Sequence, residues 1–269
     1  MRKKIKMAAH RGVSGANIPC NTPTAFEIAL LQGADIIELD VAPSSDGVLF
    51  VFHPGMEKPY LTCPTPIAQM TAKEVSAWHY RNQDGVLTHY GVSRLDDVLE
   101  QLKSRCVVNV DKFWHAPQAI ADAIHRHNMA EQVIIKTPEK PEYFDAVERF
   151  APEMAFMPVI RYRDSCTKML QKRALHCIGA EVLFENDSDP VACLEYLEEM
   201  HRAGMDVWVN TIVYDEKEVI SAGHTDDCAV NGNPDAGWGN LIDRGFDIIQ
   251  TDWCAMLRQY LQSREEQNH

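Results

Sequence analysis

The stretch Gly33–His53 reads GADIIELDVAPSSDGVLFVFH, and the fold prediction starts from it. The run Ile36–Val41 is short, apolar and rich in isoleucine and valine, as is typical of a strand buried in a parallel sheet. A second such run, Val48–His53, begins after only six residues. A parallel crossover needs about a dozen residues or more, so this run is expected to return antiparallel through a tight turn at Asp46-Gly47. The pattern predicts a buried strand followed by a hairpin that carries His53 to the carboxyl end of that strand.

Short apolar runs of this kind recur along the chain, and most are separated by helical patterns. The runs are Ile5–Ala9, Ile36–Val41, Val107–Asp111, Val133–Lys136, Met154–Ile160, Glu181–Phe184, Val207–Thr211 and Ile248–Thr251. The helical patterns are Thr22–Gln32, Leu95–Lys103, Pro117–Asn128, Tyr143–Phe150, Ala192–Ala203 and Ala255–Ser263. Eight strands alternating with helices indicate a closed, TIM-like (β/α)₈ barrel, because an open doubly wound sheet usually has fewer strands.

Two stretches fall outside this alternation. Gly55–Gly91 is rich in loop-forming residues and is expected to form a small insertion over the mouth of the barrel. Asp226–Gly239 is rich in Asp, Asn and Gly, and a long loop is expected there. The sequence shows no linker or internal repeat, and 269 residues is a typical length for one barrel. We therefore expect a single domain over residues 1–269.

The chain is acidic, with 39 Asp and Glu against 26 Lys and Arg and a formal net charge of −13. This charge disfavours binding to nucleic acid and to anionic membrane surfaces. It would also repel a phosphate ester unless a bound divalent cation offset it locally. The sequence contains no run of about eighteen apolar residues and no apolar segment typical of a secretory signal. A cytoplasmic protein without a membrane span is expected, and its oligomeric state is left open.

Carboxylates stand at the ends of two predicted strands. Glu38 and Asp40 are two residues apart on one strand, so both are expected to face the barrel interior. Asp111 ends the next strand of the predicted barrel. Oxygen ligands from neighbouring strand ends predict a Mg²⁺ or Ca²⁺ site, since buried carboxylates cannot all stay ionised without a cation. The alternatives are a pair of surface carboxylates at a strand end and, for Asp111, an N-cap for the helix at Pro117.

Two histidines are expected at the same end of the barrel. His10 follows the first strand, and His53 ends the hairpin. Imidazole titrates near neutrality, so the pair could activate an attacking hydroxyl and protonate a departing alkoxide. Arg11, beside His10, could hold a phosphate oxygen.

These elements together resemble the signature of the glycerophosphodiester phosphodiesterase family. The resemblance spans nearly the whole chain and is sharp in the first 53 residues and at the last strand, although the matches after the first 53 residues are individually weak. The matching segments are His10-Arg11-Gly12, Pro19-Cys20-Asn21-Thr22, Ala25-Phe26, Gly33–Val41, Asp46-Gly47, His53, Leu95–Leu99 and Ile248–Asp252.

The resemblance implies a TIM-like barrel that uses Mg²⁺ or Ca²⁺ to cleave a small-molecule glycerophosphodiester into glycerol phosphate and an alcohol. It implies that His10 and His53 are acid–base catalysts and that Glu38 and Asp40 bind the metal. Asp111 stands where the family usually has a metal-binding glutamate. The reaction of the family begins with attack by a neighbouring glycerol hydroxyl.

The chain departs from the family at its usual phosphate-binding lysine, which is replaced by Phe113. Lys112 is adjacent, but strand alternation would point it away from the barrel interior. Lys136, at the end of the next strand, is therefore expected to contact phosphate together with Arg11, unless it is a solvated lysine. Trp208 resembles a late tryptophan of the family and is expected to contact substrate.

Two other functions remain open from the sequence. One is a phosphodiester lyase or phospholipase of the sphingomyelinase D or phosphatidylinositol phospholipase C type. The other is a barrel that binds a phosphodiester without turnover.

Overall fold

The computed structural model describes residues 4–213 and 217–267. In this part of the chain, eight parallel strands follow one another in sequence order around a closed barrel. The strands, numbered along the chain, are β1 (Lys6–Ala9), β2 (Ile36–Pro43), β3 (Leu49–Val51), β4 (His79–Arg81), β5 (Leu87–Gly91), β6 (Val107–Asp111), β7 (Val133–Pro138), β8 (Ala155–Arg161), β9 (His176–Cys177), β10 (Gly179–Leu183), β11 (Asp206–Asn210) and β12 (Ile248–Thr251). The barrel consists of β1, β2, β6, β7, β8, β10, β11 and β12, and β1 closes it by pairing with both β2 and β12. The predicted fold is confirmed, and the ends of the eight predicted strands differ from the observed ones by at most two residues.

Helices lie between the barrel strands, and all six helical patterns of the sequence correspond to one. The helices are α1 (Pro23–Leu31), α2 (Glu57–Leu61), α3 (Ala72–Val75), α4 (Leu95–Leu102), α5 (Pro117–Arg126), α6 (Pro141–Phe150), α7 (Thr167–Leu170), α8 (Leu194–Arg202), α9 (Asp226–Val230), α10 (Asn240–Arg244) and α11 (Cys254–Gln267). Thr22 caps α1 by accepting a hydrogen bond from the Ala25 amide at 3.3 Å, and Pro23 fits the first turn. Among the described helices, none has the length and apolar character needed to cross a membrane.

The barrel interior has an apolar layer and a polar layer. The apolar layer contains six buried residues, namely Ala8, Ile36, Ile134, Met157, Trp208 and Ile248. Two residues further along β2, β7, β11 and β12, the inward side chains become polar and stay buried: Glu38, Lys136, Asn210 and Gln250. Burial of polar groups costs folding free energy unless they have partners. A buried polar layer at the carboxyl end of the barrel therefore indicates that the functional site lies at this end.

The hairpin predicted after β2 is present. Strand β3 pairs antiparallel with β2, with Val41 opposite Val51, and the turn places Gly47 at a φ of 83°. The insertion Gly55–Gly91 is more ordered than expected, because it contains α2, α3 and the ribbon β4–β5. Its apolar side chains form a cluster with Phe50 and Phe52 that is separate from the main core. We call the segment 49–92 the cap.

The expectation of a long loop at Asp226–Gly239 is wrong. This segment forms α9 and one π-helical turn, Asp235–Gly239. Thr225 caps α9 through a hydrogen bond from the Cys228 amide at 3.2 Å, and the side chain of Asp226 is buried. The polar side chains of this region therefore cap a helix and form buried hydrogen bonds, and do not indicate an open loop.

Candidate active site

Three carboxylates converge at the carboxyl ends of β2 and β6. Asp40 and Asp111 are paired in the register of the two strands, and Glu38 lies one inward position below Asp40. Each of the three offers an oxygen atom within 4.8 Å of the other two. Glu38 and Asp40 are buried, which excludes a solvated surface pair. Asp111 does not cap α5, because the N-cap position of that helix is Ala116.

The electrostatics of these carboxylates fit a hard divalent cation. Burial, followed by the negative charge of Asp40, raises the pKa of Glu38 to about 7. Burial would also raise the pKa of Asp40, but the positive charges of Arg11 and Lys112 lower it to about 2. One buried Asp40 oxygen, Oδ1, has no hydrogen-bond partner within the described chain. An all-oxygen donor set with excess negative charge matches Mg²⁺ or Ca²⁺, and Glu38, Asp40 and Asp111 could hold either ion.

His10 is oriented by a carboxylate from the last barrel strand. Its Nδ1 lies 2.9 Å from Oδ1 of Asp252, and its backbone amide donates to the Thr251 carbonyl at 3.2 Å. Burial acts to lower the pKa of His10, but the hydrogen bond and charge of Asp252 outweigh it, and the pKa is raised above its ordinary value. His10 is therefore the histidine whose surroundings favour the protonated form.

His53 reaches the same cleft from the hairpin. The amide of the preceding residue, Phe52, donates to the Asp40 carbonyl at 3.0 Å, and His53 Nε2 lies 3.9 Å from Asp40 Oδ1. Its buried Nδ1 has no hydrogen-bond partner among the described residues. Burial lowers the pKa of His53, and the opposing charge of Asp40 does not compensate. His53 therefore favours the neutral form.

Arg11 lies between the histidines and the carboxylates. Its amide donates to Glu38 Oε2 at 2.9 Å, and its Nε lies 2.8 Å from Asp40 Oδ2. The next residue, Gly12, packs against the backbone of α1: its φ is 78°, and a Cβ there would lie 2.7 Å from the Ala25 carbonyl carbon. The side-chain amide of Asn21 also donates a hydrogen bond to Asp40 Oδ2, at 3.0 Å. The sequence Arg11-Gly12 thus places a guanidinium against the carboxylates.

The expected outward orientation of Lys112 is wrong. Strand β6 ends at Asp111, and Lys112 takes a left-handed conformation with a φ of 64°, so strand alternation does not apply to it. Its Nζ lies 2.7 Å from Asp111 Oδ2 and 3.7 Å from Asp40 Oδ1. Burial acts to lower the pKa of Lys112, but the charges of Asp111 and Asp40 raise it. Phe113 is fully buried, and Lys112 supplies a cation at the mouth.

Lys136 faces the interior as expected, but its ammonium group is already engaged. It forms an ion pair with Glu181 and lies 3.1 Å from the centre of the Trp208 ring. Burial lowers the pKa of Lys136 despite the charge of Glu181. Trp208 is fully buried in the apolar layer, beneath the polar one. The expected contacts of Lys136 and Trp208 with substrate are therefore not favoured, because both side chains are part of the barrel packing.

Sequence reasoning missed the role of Asp226. Its carboxylate accepts hydrogen bonds from the side chains of Thr211, Trp238 and Thr251 at 2.6–2.8 Å and from the Asp252 amide at 2.9 Å. These bonds fix the turn that carries Asp252, and so they support His10 indirectly. No signal in the polar segment that contains Asp226 distinguished this buried aspartate from its exposed neighbours.

His10, Arg11 and His53 line a single cleft of about 650 Å³ at the mouth. A second pocket of about 30 Å³ shares His10 and Arg11 with the cleft, and its other lining residues are Glu38, Asn109, Asp111, Lys136, Glu181 and Gln250. The geometry brings two histidines, three carboxylates and two cations to one open site.

The chain aligns over most of its length with a curated relative. A glycerophosphodiester phosphodiesterase from Bacillus altitudinis is 26% identical over 263 residues, which covers 92% of this chain and 94% of the relative. The resemblance to the glycerophosphodiester phosphodiesterase family is confirmed. Residues 156–261 also match a family described as a domain of unknown function.

Solved structures of similarly named proteins share the barrel. A glycerophosphoryl diester phosphodiesterase from Parabacteroides distasonis superposes with a TM-score of 0.79 at 18% identity, covering 98% of this chain and 88% of that one. A phosphodiesterase from Oleispira antarctica, solved in complex with the product sn-glycerol-3-phosphate, gives a TM-score of 0.70 at 18% identity, covering 97% and 96%. Because the sequence identity is 18% in both cases, the structural similarity is evidence for the barrel fold alone.

Proposed function

We propose that this protein is a metal-dependent phosphodiesterase that hydrolyses glycerophosphodiesters to glycerol 3-phosphate and an alcohol. The observation that carries the proposal is the meeting, at the carboxyl end of the barrel, of a cluster of three carboxylates with two histidines that line the cleft there. The relative from Bacillus altitudinis supports the same reaction, because its match to this chain extends over nearly the whole length. The barrel and its cap act as one catalytic domain in this proposal.

The proposed substrate position is set by charge. Glu38, Asp40 and Asp111 would hold Mg²⁺ or Ca²⁺, which would supply positive charge to a phosphate oxygen as it becomes more negative in the transition state. Lys112 and Arg11, both in contact with Asp40, would bind the remaining phosphate oxygens. Lys136 is too deep for this role, since its charge is paired with Glu181.

The histidines divide the proton transfers between them. His53, which favours the neutral form, takes the proton from the glycerol hydroxyl next to the phosphate. The hydroxyl oxygen attacks phosphorus, and the bond from phosphorus to the second alcohol breaks. His10, which favours the protonated form, gives its proton to the departing alkoxide. Water then opens the cyclic phosphate, with the two histidines in exchanged roles, and glycerol 3-phosphate is released.

One experiment separates this function from the two alternatives. Phosphorus NMR of a glycerophosphodiester, with and without EDTA, follows substrate, cyclic phosphate and glycerol 3-phosphate together. A hydrolase gives glycerol 3-phosphate, and EDTA abolishes turnover until Mg²⁺ or Ca²⁺ is restored. A lyase stops at the cyclic phosphate, and a binding protein leaves the substrate intact. The Glu38→Gln variant, which removes one ligand charge at nearly constant volume, is the control for metal dependence.

A further inference from the structure

Six of the residues that line the cleft with the histidines have apolar side chains. They come from the loop after β1, from the cap, from the segment after β11 and from the region around the start of α11. The residues are Val13, Met56, Val213, Trp253, Ala255 and Met256. The cleft volume of about 650 Å³ is larger than a glycerol phosphate group requires, so a substantial part of the alcohol can also lie inside.

Three of these apolar side chains are exposed without an obvious structural reason. Trp253, Met256 and Val213 are 48%, 40% and 44% exposed, and they are three of the ten large apolar residues that are exposed in the described part of the chain. Trp253 immediately precedes α11 and Met256 lies in its first turn, and both side chains line the cleft. Exposed apolar side chains concentrated at one cleft are typical of a ligand site.

The cleft is poorly suited to a cationic alcohol such as choline or ethanolamine. Asp252 is the one acidic residue that lines it in the described chain, and its carboxylate is held by His10. The ring of Tyr60 packs against Phe52 and Tyr80, with ring centres 6.4 Å away in each case. Among the described residues that line the cleft, Trp253 is the one exposed aromatic side chain and Tyr60 is half-buried, whereas cages for quaternary ammonium groups use several rings.

We propose that the departing alcohol of the substrate carries an apolar alkyl or acyl chain, which the wall formed by Trp253, Met256 and Val213 binds. This inference rests on the proposed function and specifies its substrate class. The glycerol side of the diester lies toward His53 and the carboxylates, and the apolar side of the alcohol extends toward α11. Burial of the chain against this wall supplies affinity in proportion to the apolar area covered.

The test compares sn-glycero-3-phospho-octanol with sn-glycero-3-phosphocholine, which share the attacking glycerol. The expected result is a kcat/KM at least tenfold higher for the octyl diester. Trp253→Ala and Met256→Ala should each reduce that preference, mainly through KM. Met169→Ala is the matched control, because Met169 is 41% exposed and lies outside the cleft lining. Equal or better turnover of the choline diester, or a preference unchanged in Trp253→Ala, would overturn the proposal.

Binding measurements keep this inference distinguishable from the proposed function. Calorimetric titration of the His53→Ala variant with each diester should give tighter binding of the octyl compound, and the additional change Trp253→Ala should weaken that binding about tenfold. If the wild-type protein hydrolyses neither diester but this binding pattern holds, the hydrolase proposal fails and the apolar subsite stands. If the two diesters bind equally, the subsite is refuted.

Discussion

His10 Nδ1 and Asp252 Oδ1 lie 2.9 Å apart. The carboxylate that directly follows the last barrel strand, β12, therefore orients the histidine that directly follows the first, β1. The two residues are 242 positions apart in the chain and are brought together by barrel closure between β1 and β12. Because Asp252 opposes the effect of burial on His10, it is expected to set the protonation of the proposed general acid.

The Asp252→Asn substitution should therefore lower the pKa of His10 and slow the reaction. A general acid must be protonated, so activity falls as pH rises through its pKa; in the variant this fall should begin at a lower pH. We expect kcat to drop about tenfold to 100-fold. The measurement is the pH dependence of kcat/KM. Asp187→Asn is the control, because it removes a similar contact, 3.0 Å from His224, outside the cleft. An unchanged pH profile in Asp252→Asn would contradict the assignment.

The roles of the two histidines can be separated with a leaving group that needs no proton. With the p-nitrophenyl ester of glycerol 3-phosphate, His10→Ala should retain activity to within about tenfold, whereas with an alkyl diester it should lose about 10²–10⁴-fold. His53→Ala should lose activity on both substrates, because both require removal of a proton from the attacking hydroxyl. The measurement is kcat for each of the two variants with each of the two esters. The reverse pattern would exchange the acid and the base.

Lys112 and Lys136 should respond differently to the same substitution by Met. Lys112→Met removes a cation from the mouth and should lower kcat/KM by about tenfold to 100-fold, as expected for loss of a charged contact. Lys136→Met leaves Glu181 buried without its partner, so its main effect should be a loss of roughly 3–5 kcal/mol in the free energy of unfolding. The measurements are the free energy of unfolding in urea and the steady-state kcat/KM of both variants. A stable but inactive Lys136→Met protein would restore Lys136 as a phosphate ligand.

Divalent cations should stabilise the protein more strongly as pH rises. The pKa of Glu38 is raised from 4.5 to about 7, so this residue favours folding below its unfolded pKa, and that contribution is lost as pH rises toward 7. Cation binding requires the ionised carboxylate and offsets the loss. The increase in Tm on addition of Mg²⁺ or Ca²⁺ should therefore be larger at pH 7.5 than at pH 5. Glu38→Gln should abolish this difference, and an equal increase at both pH values in the wild-type protein would contradict it.

The sequence was sufficient for the parts of the molecule that are governed by regular periodicity. Alternation along β2 predicted that Glu38 and Asp40 share the interior face, and the short connection after β2 predicted the hairpin that carries His53. These inferences depend on local geometry, which few distant contacts can override.

The errors arose where a strand ends or where a partner comes from a distant segment. Lys112 leaves the strand in a left-handed conformation, which lies outside the alternation rule and which lysine rarely adopts. The ion pair of Lys136 with Glu181 and the hydrogen bonds that Asp226 accepts from Thr211 and Thr251 join residues from segments that are far apart in the sequence. A single sequence contains no direct record of such pairings.

The cap has a consequence for how the protein loses activity on heating. His53 follows Phe52, which packs in the hydrophobic cluster of the cap rather than in the main core of the barrel. A proposed catalytic group is thus anchored next to a cluster that is smaller than the main core, and smaller cores have less buried surface with which to resist local opening. Inactivation should then precede the collapse of the barrel, so that the temperature range of function is narrower than the range over which the protein remains folded.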